Sequence, residues 1–418
     1  MIHEPIMTTN DSSAGAAPEP SDRDRNRYFV DVYSESLFKK GEELCGDMVD
    51  TIRKKDETVV VLADGMGSGV KANILSTLTS KIICTMISGD ADIDDCVETI
   101  SKTLPVCHER GVAYSTFTIV RVKHNGEVYT AEFDGPEIVV VRDGVLDEPD
   151  KTMRVIEGKE VWESTFKAEP GDMIVGFSDG VIHAGIGRLI NLGWKRVNVM
   201  EFIQRNYKPE MSARDMTRAL IGVCDQLYEG QPGDDTTVAT VRIVPRTETR
   251  VMVGPAASSD MDEKEVAKLM SATGKKIVCG GTTSKVVARV LHEKIDVEMD
   301  YYDENVPPIG YIKGIDLVTE GVLTLSATEE LVNRYIKEND RNKRPDKYMD
   351  MSKKDGATKL MRYLVDETSD IVFMIGAANN PAHKAGGAIP SHDVKVRIVH
   401  DLVKSLEKLG KNVRIEEY

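Results

Sequence analysis

Asp47, Asp64, Asp179 and Asp234 each stand beside glycine at the margin of an apolar run. Thr58-Val-Val-Val-Leu-Ala63 leads into Asp64-Gly-Met-Gly-Ser-Gly69, and Met173-Ile-Val-Gly-Phe177 leads into Ser178-Asp179-Gly180. Gly46-Asp47 precedes a further strand region, and Gly233-Asp234-Asp235 opens the run from Thr236 to Val244. Short apolar runs rich in β-branched residues and bounded by turn residues read as buried strands. Singly, each aspartate reads as a turn, the commonest use of Asp-Gly. Together, four carboxylates at strand ends, with glycines that let backbone approach a ligand, point to one shared site. Crowded carboxylates resist ionisation unless cations neutralise them. Oxygen ligands suit hard cations such as Mg²⁺ or Mn²⁺, and two such ions roughly 4 Å apart activate water and hold phosphoryl oxygens for in-line attack. The spacing therefore leads to a two-metal hydrolase. A dinucleotide loop is the competing reading of Gly65-x-Gly67-x-Gly69. Asp64 counts against it, because a carboxylate repels a pyrophosphate. So does the polar loop Ser88-Gly-Asp-Ala-Asp-Ile-Asp-Asp95, which stands where a second strand with a ribose-binding acid belongs.

Asp64-Gly-Met-Gly-Ser-Gly69, Glu169-Pro-Gly-Asp-Met-Ile-Val-Gly-Phe-Ser-Asp-Gly-Val181 and Gly233-Asp-Asp-Thr-Thr-Val238 follow one another in an order that resembles the metal-dependent Ser/Thr protein phosphatases of the PPM family, in their bacterial SpoIIE-like branch. The resemblance covers about residues 28–244. It implies a β-sandwich flanked by helices, a site for two Mn²⁺ or Mg²⁺ ions at one edge, and hydrolysis of phosphoserine or phosphothreonine in bacterial signalling. By position, Asp64 resembles the carboxylate that bridges both metals, and the Gly65 carbonyl resembles a ligand of one. Asp179 and Asp234 match the remaining metal carboxylates, and Asp47 matches the acidic position of the first motif. Asp235 is the less favoured of its pair, while Ser178, Thr236 and Thr237 read as supporting groups. The implied partner is a phosphorylated protein, an anti-anti-sigma-type STAS protein being the first candidate, and a homodimer is compatible with the branch.

Departures from the family are informative. Met66 stands where eukaryotic members carry histidine, and a thioether cannot protonate a leaving alkoxide. His183 is a candidate acid, weighed against a structural role at a helix start. No phosphate-binding arginine is evident in the N-terminal segment; Arg53 is the nearest after Asp47, and the sequence does not place it. Ala131-Glu-Phe-Asp-Gly-Pro136 replaces an Asn-Ala-Gly-His segment, so substrate contacts differ there. Val70, Ile74, Leu75, Leu78, Ile82 and Met86 mark one apolar face of a helix that begins directly after the Asp64 loop. The branch commonly controls activity by moving such helices.

From residue 251 the rhythm changes. Val251-Met-Val253, Ile277-Val-Cys279, Asp316-Leu-Val-Thr319 and Ile371-Val-Phe-Met-Ile375 each end at or near glycine and lead into amphipathic helices. This predicts a Rossmann-like α/β unit with a mostly parallel sheet over 251–418, after a phosphatase unit at 28–245 and a polar connector at 246–250. The overall class is α+β. Gly280, Gly281, Thr282 and Thr283 form the candidate ligand loop of the second unit, weighed against an ordinary turn with Thr283 or Ser284 as N-cap. Cys279 there is reactive only if the helix lowers its pKa.

Residues 1–27, rich in Ser, Ala, Pro and Asp, read as a disordered tail without an apolar signal core. No run reaches the ~18 apolar residues of a spanning helix, so no membrane role is expected. Net charge is −15, of which −13 falls in residues 1–250, and this acidity excludes nucleic acid as a partner. Six scattered cysteines without a Cys-x-x-Cys pair read as buried thiols of a cytoplasmic protein. Arg341-Asn-Lys-Arg344 reads as a solvated loop. The alternative to an enzyme is a phosphatase-like sensing or scaffolding module with weak or no catalysis.

Overall fold

The computed structural model describes residues 27–104, 115–298, 302, 306–338, 349–378 and 391–418. The expected tail (apart from Arg27), Cys107 and the basic segment 341–344 lie outside these residues.

Two antiparallel sheets form the first unit. One runs, edge to edge, Tyr28–Leu37, Thr236–Pro245, Met173–Phe177, Val139–Arg142, Val145–Asp147. The other runs Asp47–Arg53, Glu57–Gly65, Ser115–Lys123, Glu127–Phe133, Lys159–Lys167, Thr152–Ile156. Val59 to Ala63 is apolar at every position because both of its faces are covered. Val60 and Leu62 join the core that also holds Val30, Val120 and Val241, while Val59, Val61 and Ala63 meet the helices Gly69–Ser88 and Ile93–Thr103. Arg196–Asn206 and Ala213–Leu227 cover the other sheet through Val199, Ile203, Met216 and Leu220. The result is a β-sandwich flanked by helices, as the resemblance implies.

The helix Gly69–Ser88 departs from its expected orientation. Its buried face is Ala72, Leu75, Ser76, Thr79, Ser80, Ile83, Cys84 and Ile87, whereas Val70, Ile74 and Leu78 are 63%, 53% and 43% exposed. Of the expected apolar stripe only Leu75 is fully buried, with Ile82 and Met86 at the core margin. The cause is close approach: the helix lies so near the sheet that a Cβ on Gly65 would strike the backbone of Ala72. Ala72 fits that gap, and Ser76, Thr79 and Ser80 share the buried face with Leu75, Ile83 and Ile87.

The second unit begins sooner than the sequence reading placed it. Strand Glu248–Val253 starts three residues after Pro245, within the stretch read as connector. Its sheet runs Asp296–Val297, Gly310–Tyr311, Leu317–Thr319, Lys276–Cys279, Glu248–Val253, Asp370–Ile375, Asn412–Glu417. The last five strands are mutually parallel and the first two form an antiparallel margin. Numbered along the chain, the parallel strands lie in the order 3-2-1-4-5, the doubly wound arrangement. Helices Asp262–Met270 and Gly281–Leu291 pack on one face; Val322–Glu338, Gly356–Val365 and Ser391–Lys408 pack on the other.

The two units pack together. Tyr33 and Ala213 of the first join the core that holds Tyr335, Leu360 and Leu364 of the second. The Arg214 guanidinium lies 6.0 Å from the Tyr33 ring and 5.5 Å from the Tyr335 ring, and donates to the Met349 carbonyl. Arg246 pairs with Asp370 at 3.1 Å. All five described cysteines are buried and none forms a disulfide. Among the described residues no helix is long and apolar enough to cross a membrane.

Candidate metal centre

Sheet register brings the aspartates together at one end of the sandwich. Asp47 and Asp64 are direct partners across their antiparallel strands, and the Gly65 N–H donates to the Gly46 carbonyl at 3.1 Å. Met173–Phe177 pairs with Thr236–Pro245 so that Phe177 faces Val238. The turn carrying Asp179 therefore lies beside the turn carrying Asp234 and Asp235. A bond from the Gly46 N–H to Asp235 Oδ2, 2.9 Å, ties the ends of the two sheets. Gly180 is obligatory for the same reason as Gly65: a Cβ there would strike the Asp235 carbonyl.

These turns enclose a cavity of about 220 Å³ lined by Asp47, Asp64, Asp179, Asp234 and Asp235, with Met66, Phe133 and Asp134 among its other walls. Burial, more than anything else, pushes the Asp47 carboxyl up, against the pull of the Ser178 and Thr237 hydroxyls. Asp64 is pushed up strongly by burial and then by the charges of Asp47 and Asp179. Asp179 is raised by burial and by Asp234. Asp47 Oδ2 is buried with no hydrogen-bond partner. A partnerless buried oxygen and mutually repelling carboxylates, all oxygen donors, fit hard divalent cations. Among the described residues no three His, Cys, Asp or Glu side chains close around a single point; the carboxylates line the cavity without enclosing an ion by themselves.

Asp235 is differently employed. It accepts from the N–H groups of Lys39, at 3.0 Å, and Gly46, and so braces the turn. Lys39 Nζ lies 3.4 Å from Asp234 Oδ1. Ser178 Oγ accepts from the Thr237 N–H and Thr236 Oγ1 donates to the Asp234 carbonyl, so these hydroxyls hold the acidic turns in place. His183 Nδ1 is 3.7 Å from Asp179 Oδ2, but His183 is not among the cavity walls. Arg53 ends the strand that Asp47 begins, roughly 20 Å away at the usual rise per residue; it does not reach this cavity. Asp134, exposed and with φ of 52°, is a wall residue that the sequence reading did not single out. Its signal was present, since Asp134-Gly135 also follows an apolar strand.

The loop Gly280–Thr283 lies in the other unit. Gly280, with φ of 119°, is itself the N-cap of Gly281–Leu291, and neither Thr283 nor Ser284 serves as one. Thr283 is buried and Thr282 exposed. Burial pushes the Cys279 thiol up to about 12, which removes the reactive-thiolate reading.

Residues 54–244 match the family model of stage II sporulation protein E, SpoIIE. This part of the chain is SpoIIE-like. No curated protein matches the chain. Among solved structures, the PP2C phosphatase domain of SpoIIE from Bacillus subtilis, with a fragment of its regulatory domain, is 17% identical with a TM-score of 0.46, over 53% of this chain and 64% of that one. The RsbU and RsbW domains of a Mycobacterium tuberculosis protein are 17% identical with a TM-score of 0.44, over 58% of this chain and 69% of that one. RsbX in complex with magnesium is 16% identical with a TM-score of 0.38, over 52% of this chain and 96% of that one.

Proposed function

We propose that residues 28–245 are a metal-dependent phosphoprotein phosphatase that hydrolyses phosphoserine or phosphothreonine in bacterial signalling, with Asp47, Asp64, Asp179, Asp234 and the Gly65 carbonyl holding two Mg²⁺ or Mn²⁺ ions. One observation carries the reading: four carboxylates from four separate segments line one cavity, and an oxygen of the most buried is without a partner. Bound divalent cations would supply an activated water and neutralise the phosphoryl oxygens. The chain's own part is to position. The Asp47–Asp64 register pair sets two carboxylates at a fixed separation on adjacent strands, and Asp235 fixes the turn from which Asp234 projects. Lys39 balances Asp234 and must yield it to a cation. Among the described residues no histidine, lysine or arginine lines the cavity; water or a carboxyl there is the proposed source of the proton for the leaving oxygen. Phe133 and Asp134 stand where a substrate side chain enters.

The substrate we favour is a phosphorylated STAS-type protein in the cytoplasm. The second unit, with Gly280–Thr283 at the carboxyl end of a parallel strand, is proposed as a ligand-sensing partner of the catalytic one. A phosphatase-like scaffold is the second reading, favoured by the Lys39–Asp234 contact and by carboxylates that do not close on one point. Hydrolysis of a phosphoserine STAS protein with Mn²⁺, with Mg²⁺ and with chelator separates them. Metal-dependent release of phosphate supports the enzyme; no release with either ion supports the scaffold.

A further inference from the structure

A cavity of about 560 Å³ lies where the two units meet, far from the acidic one. Its walls come from strands Tyr28–Leu37 and Asp47–Arg53 on one side and from the turn Leu409-Gly-Lys411 on the other. Four cations line it, Arg53 and Lys54 from the first unit and Lys408 and Lys411 from the second, together with the carboxylates Asp31 and Glu407. Arg53 and Lys411 lie over the same ring, Phe29, with the guanidinium carbon 5.6 Å and the ammonium 4.2 Å from its centre. Lys411 is 6% exposed.

Their donors are mostly unspent. Lys411 Nζ donates to the Thr368 carbonyl at 2.6 Å, and Arg53 donates through one terminal nitrogen to the Val30 carbonyl at 2.6 Å. An ammonium has three N–H donors and a guanidinium five. Among the described residues neither cation forms a salt bridge. The counter-charge they share is Asp31, and Asp366 and Asp370 also act on Lys411; Asp31 Oδ2 accepts the Ala213 N–H at 2.9 Å. Two like charges held close in a largely buried place are expensive without an anion between them. A cation–π contact offsets only a small part of that. Burial and the nearby Arg53 hold the Lys411 ammonium down to about 8, with Asp31 pulling the other way.

We propose that this cavity binds a small molecule through a phosphate dianion held between Arg53 of the first unit and Lys411 of the second. Two positive charges match a dianion, and the guanidinium fork presents paired donors of the spacing that phosphate oxygens accept. The volume exceeds what a lone phosphate fills and falls within the range of metabolite pockets at domain boundaries. The occupant would bridge the units, since Arg53 and Lys411 come from different ones. The proposal does not depend on what the acidic centre does.

The test is calorimetric titration of the full chain in chelator, which keeps metal-bound phosphate out, with inorganic phosphate, AMP and adenosine. Saturable binding of inorganic phosphate or AMP, and none of adenosine, is expected; AMP binding more tightly than phosphate identifies a phosphorylated metabolite as the better fit. Lys411→Met and Arg53→Met should each weaken binding roughly thirtyfold or more, and Lys411→Arg should retain it. Thermal unfolding guards against misfolding: without ligand Lys411→Met should still melt in one cooperative transition, yet lose the ligand-induced rise. Failure of both phosphate and AMP to bind the parent chain, or unchanged binding in a folded Lys411→Met, overturns the proposal.

Discussion

Asp47 and Asp64 face each other as register partners across the strands Asp47–Arg53 and Glu57–Gly65, and burial raises both carboxyls. A fold that sets two buried carboxylates side by side carries an electrostatic cost that a cation removes. The proposed cations would relieve that cost.

Asp64→Asn should therefore lower phosphopeptide turnover by at least roughly a thousandfold while the protein stays folded. Asp235→Asn should act on the other axis. Its carboxylate accepts two backbone N–H groups, so its loss should cost about 1–3 kcal/mol in denaturant unfolding with a smaller effect on turnover. Equal losses of turnover would show that the wrong carboxylate of the pair has been assigned to the metal.

Gly65→Ala probes the packing that creates the site. The new methyl would strike the Ala72 backbone, forcing helix Gly69–Ser88 away from the sheet. Overpacking of this kind costs about 1–3 kcal/mol, and the displaced Asp64 loop should weaken Mn²⁺ binding in titration. A variant with the parent's stability and metal affinity would contradict this role for the glycine.

His124 should give the fold an acid-sensitive limb. Its ring is buried between Thr58 Oγ1 and the Lys55 carbonyl, both at 3.1 Å. Burial first, then Arg246, hold its pKa down to about 4 from an ordinary 6.5. The unfolded chain thus binds more protons between these values, so this stability is complete above pH 6.5 and is lost as pH falls toward 4. The loss amounts to about 3 kcal/mol. Denaturant unfolding from pH 7.5 to 4 should show it, and His124→Gln should flatten that part of the curve.

How far these features were legible depends on what each element packs against. Strands such as Val59 to Ala63 announce themselves because both faces are buried, and the Asp-Gly turns because they need both a carboxylate and a missing Cβ. Helix Gly69–Ser88 misleads because close approach to the sheet reverses the usual pattern: Ser76, Thr79 and Ser80 go inward, Val70, Ile74 and Leu78 outward. The edge strand Asn412–Glu417 is short and half-exposed with alternating charge, so no apolar run marks it. The sequence leaves the placement of Arg53, the nearest arginine after Asp47, open; strand geometry carries it to the end opposite the acidic site and into the cleft between the units.

Arg214 bears on whether the units unfold as one. It is 4% exposed, lies against Tyr33 and Tyr335, and reaches the Met349 carbonyl. Arg214→Ala should split a single calorimetric transition into two, one for each unit, with the lower midpoint reduced. A single unshifted transition would mean that this arginine does not hold the interface.

The central claim is that the four aspartates hold two divalent cations on which hydrolysis depends. Titration of the chelated, dialysed protein with Mn²⁺, followed by electron paramagnetic resonance alongside phosphoserine-peptide hydrolysis, tests it most directly. The account predicts two ions per chain, turnover that rises with their occupancy, and loss of both in Asp64→Asn. Full turnover in the metal-free protein, or saturation at a single ion with full activity, would contradict it.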